Sequence, residues 1–313
     1  MPIVISVVVP TYNRAHMLGR SIRSILAQTF QDFEIIVVDD GSTDDTQKVV
    51  RSFGDRRIRY VQHDENKGEA AARNTGIRLA KGEYIASQDS DDEWLPEKLA
   101  KQVEVLDNSP PDVGVVYTGF WKSHDGRKTY IPFSWVKHPN GNIHKQLLRG
   151  NFIGSPVTLI RKGCFEKVGM FDERLANVVD WEMWIRISKY YHFRYVAEPL
   201  VIAYYHSENI SSSRKSLIDA LELILEKHSE DFAKDEKMLA KQCFDIGSLL
   251  VSTGELEKGR RYLKRAARIC PISIRTALSC LLILSGPSGG KYVVKLYEYI
   301  KKQRENTRSK NGL

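Results

Sequence analysis

Cysteine is scarce: Cys164, Cys243, Cys270 and Cys280 are the whole complement of a 313-residue chain, and no two stand close enough for zinc-ligand spacing. Thiols so scattered fit a reducing compartment, not a disulfide framework. Long apolar runs are missing too. The longest, Ala277 to Leu284, is far shorter than the ~20 residues that span a bilayer. The N-terminal segment MPIVISVVVP has neither a basic region nor a small-residue cleavage site, so a strand is expected there and no signal peptide. No Gly-x-Gly-x-x-Gly follows that strand, which argues against a dinucleotide-dependent oxidoreductase. Pro10 to Arg14 contains no glycine at all, so the Gly-rich basic loop of a sugar-phosphate nucleotidyltransferase is also absent.

At roughly 150 residues per domain, the length predicts one large domain and a smaller companion. Lys and Arg exceed Asp and Glu by 47 to 39, a net charge of +8. Such an excess suits anionic lipid, nucleic acid or a phosphorylated substrate. Its position narrows this choice. The basic residues gather near the C-terminus, at Lys258 to Arg268 and Lys301 to Lys310, whereas the first hundred residues carry clustered acids. Nucleic acid is therefore not expected as a partner of the acidic region.

Strand and helix patterns alternate through the first hundred-odd residues. Ile3 to Val9, Phe33 to Val38, Ile58 to Gln62 and Tyr84 to Ser87 read as strands; Met17 to Gln28, Thr43 to Phe53, Glu69 to Ala80 and Pro96 to Leu106 read as helices. This alternation predicts an α/β fold with a mostly parallel sheet between helices, whose ligands bind beyond the carboxyl ends of strands. After Val113 the pattern loosens. Strands are expected at Val113 to Trp121, Pro156 to Ile160 and Tyr195 to Tyr205, a turn at Asp125 to Arg127, and a helix near Trp181 to Tyr190. From residue 213 the chain turns helical. The predicted domains are 1–212 and an all-α region, 213–313, in which Lys241 to Ile269 has the spacing of one tetratricopeptide-like hairpin or of a packing tail.

Five constellations carry candidate chemistry. Asp89-Ser90-Asp91-Asp92 places three carboxylates within four residues at the end of a buried strand. Their repulsion is relieved by a cation, and carboxylates together with phosphate oxygens are a usual cradle for Mg²⁺ or Mn²⁺. Asp39-Asp40-Gly41-Ser42 ends another strand and suits either a ribose or base contact or a plain capped turn. Tyr12, in Pro10 to Arg14, suits stacking on a nucleobase or cover for the core. Arg73 lies one turn into its helix, as a phosphate ligand or an exposed charge. Asp180 starts a helix among apolar residues, as a cap or as a general base whose pKa those surroundings adjust. Its neighbours Trp181 and Trp184 read as core packing, with sugar stacking as the alternative.

In this order, Val-Val-Val-Pro-Thr-Tyr-Asn-Arg, Val-Val-Asp-Asp-Gly-Ser-Thr-Asp, Asn-Lys-Gly with Ala-Arg-Asn, Asp-Ser-Asp-Asp and Asp-Trp-Glu-Met-Trp, the motifs resemble family 2 glycosyltransferases of GT-A fold over residues 3–205. The resemblance implies a nucleoside pocket at Pro10, Tyr12 and Asp40, with Asp40 reading the base. It places Arg73 near the base or diphosphate, Asp91 on a Mn²⁺ or Mg²⁺ ion, and Asp89 on ribose or metal. It makes Asp180 the catalytic base and puts His206 near the metal or phosphates. It further implies a UDP-sugar donor, inversion, and a saccharide or lipid-linked acceptor in surface polysaccharide or glycolipid synthesis. Processive synthases of the family carry Gln-x-x-Arg-Trp and membrane spans; neither is found here, so addition of one or a few sugars is expected. A cytoplasmic enzyme follows, with the basic stretch Arg275 to Lys302 resting on the inner face of the membrane or packing as surface helices. The rival reading is a partner-binding protein with a degenerate site, against which intact Asp89, Asp91 and Asp180 argue.

Overall fold

The structure is a computed structural model that describes residues 3–124, 127–131, 136, 140–205, 213–271, 277, 278 and 281. It forms two compact units, Met1–Asn209 and Ile210–Leu313.

In the first unit, β1 (Ile5–Thr11), α1 (Ala15–Leu26), β2 (Phe33–Asp39), α2 (Thr46–Arg51), β3 (Ile58–Gln62), α3 (Glu69–Leu79) and β4 (Tyr84–Ser87) follow one another in strict alternation. Every residue of β1, β2 and β4 is buried. That explains their continuous β-branched runs: helices cover both faces of the sheet, so no polar alternation is needed. The four strands are parallel, with Val7 level with Ile35 on one side and Ala86 on the other. Their carboxyl ends therefore share one edge.

The rest of the unit comprises β5 (Glu93–Trp94), α4 (Lys98–Asp107), β6 (Val113–His124), β7 (Arg127–Ile131), α5 (His144–Arg149), β8 (Thr158–Arg161), α6 (Gly163–Val168), α7 (Val179–Ile187) and β9 (His192–Tyr204). The sheet order is β3-β2-β1-β4-β8-β6-β9-β5, with β7 paired to β6. β8 runs antiparallel to both its neighbours, and β9 parallel to β6. The α/β class with a helical C-terminal region is as expected.

Several elements differ from their sequence patterns. The helix expected at 43–53 starts only at Thr46, because Asp44 spends its carboxylate on the Thr46 N–H and hydroxyl and on the Ala15 N–H. α5 and α6 were not expected; at six residues each they are too short to show a helical period. α3 approaches β1 so closely that a Cβ on Gly76 would collide with the Val8 side chain. Gly76→Ala is accordingly expected to destabilise the fold by ~1–3 kcal/mol, read as a lowered urea midpoint at unchanged m-value.

The second unit holds α8 (Arg214–Lys227), α9 (Ser229–Ala233), α10 (Glu236–Thr253) and α11 (Leu256–Ile269). The Ser213 and Asp235 side chains cap α8 and α10 by accepting the N–H groups of Ser216 and Met238. α10 and α11 cross at Gly247 and Gly259, where a Cβ on either would lie 3.0 Å from the other's carbonyl oxygen. Among the described residues, no helix is long and apolar enough to cross a membrane. The basic stretch Arg275 to Lys302 lies, but for residues 277, 278 and 281, outside the described residues.

Candidate active site

Adjacent strand ends are laced together first. The Asp40 N–H donates to the Thr11 carbonyl (2.9 Å), and the Asn13 N–H to Ser42 Oγ (2.8 Å). Asn13 holds a left-handed φ of +52° and its side-chain oxygen accepts the Thr43 N–H at 2.9 Å. Pro10 is buried at the end of β1, and Tyr12 stands exposed in the loop beyond it. Pro10, Tyr12 and Asp40 thus meet at neighbouring strand ends. The Asp40 carboxylate itself is turned inward. It accepts hydrogen bonds from His63 Nδ1 (2.7 Å) and from the N–H groups of Lys67 (2.9 Å) and Gly68 (2.7 Å), so it organises the loop that opens α3.

The acidic loop beyond β4 is held from both faces of the sheet. On the α1 side, Ser21 Oγ donates to the Asp89 carbonyl at 3.0 Å, and Arg20 Nη2 donates to the Asp91 carbonyl while its guanidinium stacks 3.9 Å over the Tyr204 ring. On the α3 side, buried Arg73 donates to Asp89 Oδ1 at 2.5 Å and, through Nε and Nη2, to Glu69 Oε1 at 3.0 and 2.6 Å. Asp92 is buried, and its Oδ1 accepts the Tyr204 N–H at 3.0 Å. Burial pushes the Asp89 carboxyl up to about 7; the Arg73 cation opposes this, while Glu69 and Asp91 add to it. Asp92 is driven well above the usual carboxylate range by burial and by repulsion from Asp89 and Asp91.

Asp180 arrives from a third direction, in the first turn of α7. The residue before the helix, Val178, has φ +47° and ψ +34°, a left-handed conformation costly for a β-branched side chain. Asp180 Oδ1 accepts the Trp181 N–H (2.7 Å) and the Asn151 side-chain amide (3.2 Å). Trp181 and Trp184 are buried and donate to the Leu147 and Ile153 carbonyls, at 2.7 and 2.8 Å. They pack in the core and brace the segment that carries Asn151. Burial, followed by the Glu69 charge, pushes the Asp180 carboxyl up to about 6, with Arg73 opposing.

These groups share one field. Tyr205, just past β9, is pushed up to about 12 by burial and then by Asp92, Asp180, Asp89 and Asp91 together. Arg73, Asp89, Asp91 and Asp180 therefore lie close enough to act on one another's charge or on Tyr205, while the Asp40 carboxylate is engaged by His63 and the Lys67 and Gly68 N–H groups. His206 lies outside the described residues. Glu69, Asn151 and Tyr205 were not singled out in the sequence. For Glu69 the available signal was its position four residues before Arg73, on the same helix face.

Among the described residues, no three His, Cys, Asp or Glu side chains are gathered as a complete metal cage. Oxygen donors from the acidic loop fit a hard cation that takes its remaining ligands from phosphate and water.

A half-parallel sheet with an acidic loop at its carboxyl edge is a GT-A-type fold. The chain belongs to glycosyl transferase family 2, whose profile matches residues 6–169, and it is a glycosyltransferase. A Rickettsia prowazekii protein described as an uncharacterized glycosyltransferase is 27% identical over 96% of this chain and 97% of its own length. Other Rickettsia relatives are longer proteins, of which this chain spans about a third. The Escherichia coli UDP-Glc:alpha-D-GlcNAc-diphosphoundecaprenol beta-1,3-glucosyltransferase WfaP is 32% identical over 58% of this chain and 69% of its own. Among solved structures, S. aureus TarS 1-349 in complex with UDP-GlcNAc superposes with a TM-score of 0.70 at 21% identity, covering 95% of this chain and 92% of that one.

Proposed function

We propose that this enzyme moves a single sugar from a UDP-sugar to a hydroxyl of a saccharide or lipid-linked acceptor, with inversion, in surface polysaccharide or glycolipid synthesis. The observation that carries the reading is that Asp180 and the acids of the Asp89–Asp92 loop, from separate parts of the chain, act together on the Tyr205 hydroxyl. The acceptor class named for WfaP, a diphosphate-linked lipid, agrees with it. With such an acceptor the enzyme would work at the inner face of the membrane, the basic C-terminal stretch serving as a peripheral contact. In the second unit, the α10–α11 pair would serve as a single tetratricopeptide-like or plain packing hairpin.

Asp91, with Asp89 and His206 as candidate co-ligands, would hold Mn²⁺ or Mg²⁺, which as a Lewis acid neutralises the departing diphosphate. Pro10 and Tyr12 line the nucleoside side, and Asp40 sets the loop around it. Arg73, anchored by Glu69, fixes Asp89 toward the ribose. Asp180 takes the proton from the acceptor hydroxyl as that oxygen bonds to the anomeric carbon. The carbon–oxygen bond to the diphosphate breaks on the opposite side, so configuration inverts.

A base must be unprotonated to work. With the Asp180 carboxyl pushed up to about 6, the competent form is lost as pH falls through that value. Transfer at saturating donor is expected to be about tenfold slower at about pH 5 than at about pH 7. Glu69→Gln removes a negative neighbour and should move this acid limb to lower pH. A pH–rate series on both proteins checks the limb and its displacement. The donor itself is found by screening nucleotide-sugars for Mn²⁺-dependent thermal stabilisation and hydrolysis. UDP-sugars are expected to respond, and a response confined to other nucleotides would overturn the uridine assignment.

A further inference from the structure

β6 and β7 form a hairpin whose register pairs Lys122 with Thr129 and His124 with Arg127. Paired and alternate residues share a face of such a ribbon, so Lys122, His124 and Arg127 project from the same side. Tyr205 is fastened to that hairpin: its N–H donates to the Ser123 carbonyl at 2.8 Å, its carbonyl faces His124 Nδ1 at 3.1 Å, and Lys122 Nζ sits 3.7 Å over its ring. The same ring lies in the field of Asp180 and the acidic loop. Lys122 is half-buried, and among the described residues no carboxylate acts on its ammonium. Burial holds the Lys122 ammonium below the usual lysine range. A cation withdrawn from water without an anion is costly to keep unless a ligand supplies the charge.

We propose that the Lys122–His124–Arg127 face of the β6–β7 hairpin, footed on Tyr205, is an anion subsite that receives the phosphoryl oxygens of a diphosphate-linked acceptor. The proposal rests on the transferase reading above and adds where the acceptor's charge is held. Lys122 lies over the Tyr205 ring, and that ring is within the field of Asp180 and the acidic loop, so an acceptor gripped here by its phosphates has its sugar within reach of Asp180. Arg and Lys are suited to this, since charge-assisted bonds to phosphate are about twice as strong as neutral ones. The same phosphoryl chemistry is offered by the donor's own diphosphate and by phospholipid headgroups, and the experiment separates the three.

Binding of N-acetylglucosaminyl diphosphate carrying a short alkyl chain is measured on the full chain, beside the uncharged alkyl N-acetylglucosaminide, UDP with Mn²⁺, and phosphatidylglycerol vesicles. The wild-type protein is expected to prefer the diphosphate-linked acceptor over the uncharged one by about tenfold or more. Lys122→Gln should remove most of that preference and leave UDP and vesicle binding unchanged. Arg127→Gln, at an exposed position where folding is not at stake, should reduce it in part. No preference in the wild-type protein, or an equal loss for charged and uncharged acceptors in Lys122→Gln, overturns the subsite. A matching loss of UDP affinity assigns these cations to the donor instead, and a loss confined to vesicles assigns them to the membrane; either result overturns the acceptor assignment. Failure of UDP to bind under any condition while the acceptor preference persists would sink the donor reading and leave the subsite standing.

Discussion

Asp180→Asn is expected to cut sugar transfer by ~10²–10⁴-fold while UDP-sugar affinity stays near normal. The expectation follows from position and environment together. The carboxylate opens α7 beside a strained Val178, and one of its oxygens is oriented by the Trp181 N–H and the Asn151 amide. Burial and the Glu69 charge raise its affinity for a proton into the range useful to a base near neutral pH. Asparagine keeps the size and an acceptor oxygen for both hydrogen bonds but cannot take a proton. The substitution also removes a buried charge, so stability should hold. Steady-state kinetics with separate donor and acceptor titrations give the answer: kcat should collapse with donor KM little changed. Near-normal kcat would remove Asp180 from the base role.

Asp91→Ala is expected to abolish Mn²⁺-dependent donor affinity. Loss of a mere outer-shell partner typically costs ~10–100-fold in metal affinity, so loss of a direct ligand should cost at least about a hundredfold. Its neighbours in the loop have other work: Asp89 is engaged by Arg73, and Asp92 is buried against the Tyr204 N–H. The variant also removes one of three mutually repelling carboxylates, so its melting temperature should not fall, which separates a metal effect from misfolding. Donor KM titrated against Mn²⁺ tests this. An unchanged Mn²⁺ response would contradict the metal role of Asp91.

The first half of the fold could be read from the sequence because its physics is local. Continuous β-branched runs mark strands buried on both faces, and the bounds of β3 and β4 agree with their patterns to the residue. The mixed part of the sheet was less legible. β8 inserts antiparallel between β4 and β6, and two-residue β5 exists only because β9 is there to pair with it. Neither fact has a local signature. At the site, the residue types were readable but their orientations were not. Asp40 and Asp89 both follow strands, yet one carboxylate turns to His63 and two backbone N–H groups, and the other is held by Arg73. That choice is made by loops arriving from elsewhere in the chain. Tyr205 escaped notice for the same reason: it matters through the acidic loop and Asp180, both distant in sequence.

Asp91 and Asp180 are expected to flank the anomeric carbon of a bound donor from opposite sides. A crystal structure of the full chain with Mn²⁺ and a non-hydrolysable UDP-sugar measures this directly. The ion is expected between the Asp91 carboxylate and the diphosphate, with the Asp180 carboxylate across the sugar from the leaving oxygen. A diphosphate bound away from Asp91, or an anomeric carbon shielded from Asp180, would contradict it.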